Sequence, residues 1–419
     1  MASRGDHLVR ADRHFATGAG LAGRLVAPLF ARLIDRLDAR IERGGIEGIL
    51  PDGSRRRVGF HADGPVAVVR LDSWLALARL AASGSVGLYR GWANGEWTSP
   101  DPVKLFELAM ANAVALGDTA RAKGPMRWLN ALAHQWRDNH PAQARRNIAA
   151  HYDLGNDFYA AWLDPSMTYS AARFGAEGSN GGDDLEAAQR RKVALLLDRL
   201  DLKPGDRLLE IGCGWGGLAI EAAQRGASVV GLTLSAEQKT WADATIAEAG
   251  LADRVEIRLQ DYRDISERFD SVASVEMVEA VGQRWWPAYL DCIARNLRPG
   301  GRAALQYIAI DHRLFDAYSR SADFIQAYIF PGGMLLHEPR FADLARARGL
   351  SWRDRDGFGG DYAETLRRWR ERFDAAVRDG RLDGFSDEFH RLWRYYLMYC
   401  EGGFRGAGID VAQVTLGRQ

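Results

Sequence analysis

Residues 208–220 read LLEIGCGWGGLAI, and the fold of the whole chain turns on this stretch. An apolar run carries Glu210 near its end, glycines follow at 212, 214, 216 and 217, and apolar residues resume at Leu218. Glycines without side chains let the backbone turn tightly and approach a ligand closely. A strand, a glycine turn and a helix in that order build ligand sites at the carboxyl ends of parallel strands. Gly212-x-Gly214-x-x-Gly217 also satisfies the dinucleotide fingerprint, so the turn alone leaves the ligand open.

Outward from this turn, helices and apolar strands alternate. The helix DDLEAAQRRKVALLLDRLDL precedes it, and SVVGLTLS, AEQKTWADATIAEAG, VEIRLQD, FDSVASVEM, WWPAYLDCIARNL, the turn RPGG and RAALQYIAI follow. Such alternation predicts an α/β doubly wound, mostly parallel sheet with helices on both faces. A nicotinamide cofactor wants an acidic side chain about 20 positions on, at the end of the next strand. Here that strand ends in GLTLSAEQ, with no acid before Glu237, while Asp261 in LQDYRD can accept from an adenine amine. Glu210 suits the E/D-x-G-x-G turn of S-adenosylmethionine enzymes, so that cofactor is favoured over NAD.

At 419 residues the chain is long for one core, and two domains are expected. The 55 basic and 55 acidic residues cancel, which argues against a dedicated nucleic-acid binder. Three scattered cysteines form neither a disulfide framework nor a CxxC pair, and fit a reducing cytosol. No histidine pattern has metal-ligand spacing; His134 and His140 flank a turn, and no metal site is expected. The start MASRGDHLVRADRHFATG carries no apolar signal core, and no run approaches the roughly 20 residues of a bilayer span. The expectation is a cytoplasmic protein, soluble or peripheral on the inner face of the membrane.

The block 1–140 lacks a nucleotide-binding signature and is expected as a separate amino-terminal domain, with 141–419 as the second. RRVGFHADGPVAVVRL reads as strands about a turn, and DSWLALARLAAS as a helix capped by Asp72. APLFARLIDRLDARIER places Leu29, Phe30, Leu33, Ile34, Leu37 and Ile41 at helical spacing, with Arg32, Arg36, Arg40 and Arg43 mostly elsewhere. A basic amphipathic helix can lie on an anionic membrane, but a stripe packed on its own core is the commoner outcome. The polar stretch 128–153, broken by Pro141, reads as the connection.

Six motifs occur in order: HYDLGNDFYAAWLDPSMTYS (151–170), LLEIGCGWGG (208–217), GLTLSAEQ (231–238), EMVEAVG (276–282), DFIQAYIFPGG (323–333) and YCEGGFR (399–405). Together they resemble the cyclopropane-fatty-acid synthase family of S-adenosylmethionine-dependent methyltransferases. The resemblance implies a class I methyltransferase (Rossmann-like) domain with a smaller amino-terminal α+β domain. It implies a cofactor site of Tyr169, Ser170, Glu210, Gly212, Cys213, Gly214, Thr233, Leu234, Ser235, Gln238, Asp261 and Tyr262. It also implies unsaturated phospholipid acyl chains as substrate and the membrane surface as partner, and leaves a homo-oligomer open.

By the same resemblance, methyl transfer to a cis double bond makes a carbocation that must be shielded from water before a base removes a proton. Proton loss from the new methyl closes a cyclopropane; loss elsewhere gives a methylene branch or shifted alkene. In the family the base is a bicarbonate held by a cysteine, a glutamate, a histidine, a tyrosine and a backbone group. Glu279, Tyr362 and Ile308 match three of these, and Cys400 matches a frequent family cysteine. Ala171 and Gln306 replace the other cysteine and the histidine, so bicarbonate stays open as a ligand. Glu276 stands where bicarbonate-binding relatives commonly carry glycine. Glu276 is therefore expected near the usual anion position, with Glu276 or Glu279 as base, since neighbouring carboxylates raise one pKa. Helix capping or pairing with Arg284 is the bland alternative for Glu276. The aromatic runs FIQAYIFPGGMLL and WRYYLMYCEGGF are expected to contribute to an acyl channel. Methylation of a soluble small molecule, and a lipid-binding protein without activity, are the further alternatives.

Overall fold

A computed structural model describes Arg4 and residues 27–117, 154–175 and 184–418. These gather into two compact units, one of Met1–Arg137, Arg313–Pro331 and Phe373–Ile409, the other of Asp138–His312, Gly332–Arg372 and Asp410–Gln419. The expected connection at 128–153, with His134 and His140, lies outside the described residues. Segments 313–331 and 373–409, far beyond residue 140, cluster with the amino-terminal block.

In the first unit, helix α1 (Ala27–Asp38) is followed by strands β1 (Gly45–Ile49), β2 (Arg55–Gly59) and β3 (Val66–Leu71). Helix α2 (Leu75–Ala93), strand β4 (Trp97–Thr98) and helix α3 (Pro102–Ala111) complete the block. The sheet order is β2-β1-β3-β4, so the two strands expected about a turn both flank β1 rather than each other. Phe30, Ile34 and Ile41 are buried, and Phe30 stacks on Trp74 at 5.8 Å, so the α1 stripe covers its own core. Asp72 does not cap α2; it accepts from Arg70 Nε at 2.8 Å, and Ser73 Oγ accepts from Leu75 N–H at 3.2 Å.

The helix Asp387–Arg405 lies against α3 so closely that a Cβ on Gly402 would sit 2.4 Å from Phe106 Cβ. This approach seats Tyr395 and Tyr399 on Phe106, at 5.2 and 5.4 Å between ring centroids. Phe324 and Tyr328 join the cluster through Tyr89, at 5.0 and 4.8 Å. Ser85 Oγ accepts from Phe324 N–H at 3.0 Å, just past Gly84, where α2 kinks. Aromatic packing and this capping bond build 313–331 and 373–409 into the first unit. The aromatic runs expected at an acyl channel therefore pack largely on each other.

The second unit is organised on a seven-stranded sheet. Helix α4 (Leu185–Asp198) leads into β5 (Arg207–Ile211), α5 (Gly217–Gln224), β6 (Ser228–Thr233), α6 (Ala236–Glu248), β7 (Val255–Leu259) and β8 (Phe269–Val275). Then come α7 (Trp286–Asn296), β9 (Leu297–Ile310), α8 (Glu338–Arg346), β10 (Arg353–Gly357), α9 (Gly359–Arg378) and β11 (Ile409–Gly417). The strand order is β10-β11-β9-β8-β5-β6-β7, with β9-β8-β5-β6-β7 parallel and β10 antiparallel to β11. This is the doubly wound, mostly parallel sheet that the alternation of helices and strands predicts. β5 is central and buried along most of its length, as its near-continuous apolar sequence requires. RPGG does not form a separate turn; β9 starts at Leu297, opposite Phe269, and a register shift absorbs 298–301 before Ser271 pairs with Arg302. Among the described residues no helix is long and apolar enough to cross a membrane.

Candidate active site

The glycine turn leaves the carboxyl end of β5 with Gly212 at φ 83°, Gly214 at φ 52° and Gly216 at φ 90°, a conformation open to glycine at little cost. A Cβ on Gly214 would meet nothing within 4 Å, so the turn leaves room over its backbone. One on Gly212 would sit 2.8 Å from Met277 Cγ, which ties the turn to the end of β8. Cys213 is buried, its thiol pushed up by burial, and its N–H donates to Leu232 O at 2.9 Å.

At the next strand end, Ser235 caps α6 by accepting from Gln238 N–H at 3.2 Å, and Thr233 Oγ1 lies 2.9 Å from Gln238 Oε1. Leu234 sits half-buried between them. Past β7, Asp261 accepts from Arg263 Nε at 2.8 Å and Nη2 at 2.6 Å, so its carboxylate is oriented by a guanidinium. Two buried polar atoms at these strand ends, Glu210 Oε2 and Tyr262 Oη, find no hydrogen-bond partner among the described residues. Burial raises the Glu210 carboxyl to about 8 against the pull of Lys192, and raises the Tyr262 phenol. An open glycine cradle beside orphaned polar groups at the carboxyl edge fits S-adenosylmethionine, which carries an amine, a carboxylate and an adenine to satisfy.

The second half of the site gathers around Glu276, the first residue past β8. Its φ of 48° is a left-handed conformation that favours glycine and costs a side-chain-bearing residue roughly 1–2 kcal/mol. The turn holds the carboxylate among three donors. Oε1 accepts from Ala171 N–H at 2.9 Å and Gln306 Nε2 at 2.8 Å, and Oε2 accepts from the Tyr362 hydroxyl at 2.7 Å. Burial raises its pKa, and these bonds and Lys192 oppose that rise. Neither a helix cap nor a bond to Arg284 is among these contacts.

Glu279 lies one short turn further, in the 3-10 segment Val278–Ala280. Its Oε1 accepts from Ile308 N–H, while Oε2 is buried without a partner among the described residues. Burial, reinforced by the charge of Glu276, raises its carboxyl to about 8. Tyr362, in the first turn of α9, is buried and meets Trp369 edge-on at 6.1 Å. Tyr169 packs with Tyr159, Trp162 and Trp369 at 5.5, 5.5 and 5.3 Å, making an aromatic wall.

Gln306, Tyr362, Glu276 and Glu279 thus converge, although 86 residues separate Glu276 from Tyr362. Cys400 lies in the first unit on the helix Asp387–Arg405, its thiol raised by burial and the nearby Asp323. Residues that sequence reasoning passed over complete the cluster. Lys192 Nζ donates to Ser170 Oγ at 2.7 Å, Ala172 N–H donates to Thr365 Oγ1 at 3.1 Å, and Gln413 Nε2 donates to Gln306 Oε1 at 3.1 Å. A signal was present for Lys192: it and Gln189 fall on the apolar stripe of α4.

Residues 139–414 match the family model described as mycolic acid cyclopropane synthetase. The chain belongs to this family. It is 43% identical over 354 residues to the tuberculostearic acid methyltransferase UfaA1 of Mycobacterium tuberculosis, covering 82% of each chain. It is 34% identical over 383 residues to the cyclopropane-fatty-acyl-phospholipid synthase of Escherichia coli, covering 87% of this chain and 91% of that one. The crystal structure of the mycolic acid cyclopropane synthase CmaA1 with SAH and CTAB superposes with a TM-score of 0.61 at 31% identity, over 65% of this chain and 98% of that one. This family member is an S-adenosylmethionine-dependent methyltransferase that acts on lipid acyl chains.

Proposed function

We propose that the protein methylates the cis double bond of an unsaturated phospholipid acyl chain and then removes a proton, closing a cyclopropane. The carrying observation is the Glu276 carboxylate, held by Ala171 N–H, Gln306 and Tyr362 as a base built into the chain. The cofactor is assigned to Tyr169, Ser170, Glu210, Gly212, Cys213, Gly214, Thr233, Leu234, Ser235, Gln238, Asp261 and Tyr262. Bound S-adenosylmethionine supplies an electrophilic methyl group. The substrate is met at the inner face of the membrane, with the amino-terminal unit as the lipid-associated part.

The alkene provides the electron pair for the new carbon–carbon bond, so the protein activates no nucleophile. Its work begins when positive charge resides on the neighbouring acyl carbon. The half-buried ring of Tyr169, backed by Tyr159, Trp162 and Trp369, stabilises such charge and excludes water from it. Glu276 then takes a proton from the new methyl group, and the released electron pair closes the ring onto the cationic carbon. Two neighbouring buried carboxyls do not readily ionise together, which divides their roles. Three donors favour the ionised form of Glu276, whereas Glu279, raised to about 8, is largely protonated at neutral pH. Gln306 and Tyr362 orient the base. The Glu276 side chain serves where a bound bicarbonate would otherwise be needed.

The 43% identity to a tuberculostearic acid methyltransferase favours a second product. A hydride shift from the methylated carbon to its cationic neighbour moves the charge, and loss of the methyl proton then leaves a methylene branch. Expression in a host that makes monounsaturated phospholipids but no cyclopropanes tests both readings. A fatty acid heavier by one methylene is expected, and NMR tells ring from branch. Labelled methyl on a soluble metabolite, with no new fatty acid, overturns the proposal.

A further inference from the structure

Helix α4 presents Leu185, Ala188, Val193, Leu196 and Leu197 to the core, and places Gln189 and Lys192 in the same buried stripe. Lys192 is 1% exposed. A buried ammonium is costly unless negative charge and acceptors meet it. Lys192 Nζ donates to Ser170 Oγ at 2.7 Å, and the charged groups that face it are Glu276 past β8, Asp164 and Glu210 on β5. Gln189 Nε2 donates to Ser170 O at 2.8 Å, so α4 grips Ser170 by both hydroxyl and carbonyl.

The next N–H along the chain, that of Ala171, donates to Glu276 Oε1 at 2.9 Å. A second path starts at the Lys192 carbonyl, which accepts from Gln413 Nε2 at 3.2 Å. The same Nε2 donates to Gln306 Oε1 at 3.1 Å, and Gln306 Nε2 donates to Glu276 Oε1 at 2.8 Å. The first path runs through the Lys192 ammonium and the second through its backbone carbonyl, and both end on one oxygen of Glu276.

We propose that Lys192 is a positioning residue for proton removal: it locks the Ser170–Ala171 backbone against Glu276 and supplies the buried positive charge that keeps this carboxylate ionised and aimed. The inference rests on the reading of Glu276 as the proton acceptor. Burial pushes the ammonium down to about 8 against the pull of Glu276, Asp164 and Glu210, so it stays largely charged at neutral pH. Burial raises the Glu276 carboxyl; the Ala171 N–H, Tyr362, Gln306 and then Lys192 favour the anion, and Glu279 is the neighbouring acid. A lysine that only neutralised Glu210 to hold the fold together would leave the titration of Glu276 untouched.

The test is the pH dependence of kcat for Lys192→Met on vesicles of unsaturated phospholipid. Loss of the ammonium raises the Glu276 carboxyl, and only its ionised form accepts a proton, so the acid limb moves to higher pH by about one unit. Turnover falls by up to about 10-fold on the acid side of the profile and recovers as pH rises. In a Glu276→Gln background the Lys192→Met change adds less than about 3-fold, because coupled sites are not additive. A pH-independent loss with an unmoved limb, or additive losses in the double variant, overturns the proposal. Should Lys192→Met not fold, Lys192→Gln is neutral, keeps a polar end and is read the same way. Full turnover by Glu276→Gln alone overturns both readings, whereas a failure of Lys192 leaves Glu276→Gln impaired, so the two failures are told apart.

Discussion

The cofactor turn and the carboxylate pocket are built by opposite means. The turn is nearly all local: Gly212, Gly214 and Gly216 take positive φ within five residues, and Ser235 caps the helix that opens beside them. The pocket is nearly all long-range. Its contacts come from residues 170–172, 189–192, 276–279, 306–308, 362–365 and 413, and its best-held group sits in a backbone conformation unfavourable to its residue type. A glycine turn needs only the right residues in the right order. A buried carboxylate needs donors, and those of Glu276 come from Ala171, Gln306 and Tyr362, none of them near it in sequence.

The comparison breaks most sharply at Glu276. Glu276→Gln is expected to lower kcat by about 10²–10⁴-fold while S-adenosylhomocysteine affinity, read by calorimetry, stays within a few-fold. Comparable losses of affinity and turnover would show that the two regions are not separable. Glu276→Gly leaves the donors of Ala171, Gln306 and Tyr362 facing a gap, and millimolar formate is expected to restore part of the lost turnover.

The reverse break is Gly214→Val. Its side chain would project into open space over the turn at φ 52°, so cofactor affinity should fall by roughly 100-fold. The strain itself is worth only about 1–2 kcal/mol, and the fold should survive, as thermal melting would show. Tyr362→Phe removes one of three donors to Glu276 and should cost about 10-fold in kcat, with cofactor binding unchanged.

Glu279→Gln sharpens the division of labour between the two acids. Full turnover in this variant would remove Glu279 from the proposed machinery. Its effect on stability has a definite sign. The folded-state carboxyl is raised to about 8 from 4.5, so the fold favours the protonated form. That contribution is fully present below about pH 4.5 and is lost as pH rises through about 8. Glutamine carries no such charge. Melting temperatures measured from pH 5 to 9 should therefore shift in favour of the variant by about a few degrees at the alkaline end.

Sequence made the sheet legible because strand, turn and helix signals are periodic and local: LLEIGCGWGG and GLTLSAEQ declared the cofactor side by themselves. RPGG misled because a turn signal cannot reveal that the flanking strand resumes in a shifted register. Asp72 was a plausible cap until Arg70 proved to hold it. The aromatic runs 324–336 and 393–404 have a composition that suits a channel lining and a core equally, so sequence alone does not choose between them. Lys192 was overlooked because a lysine amid QRRK reads as solvated surface, and only the stripe position marked it as buried.

What the sequence determined by itself was the family, the cofactor turn and the two glutamates as a pair, since each rests on residues close together in the chain. Only tertiary structure decided that Glu276 is the carboxylate held by three donors, that Glu279 keeps an oxygen without a partner among the described residues, and that Lys192 is buried near Glu276. The reason is physical: burial and hydrogen bonding set the charge of a carboxyl group, and both are made by residues distant in sequence.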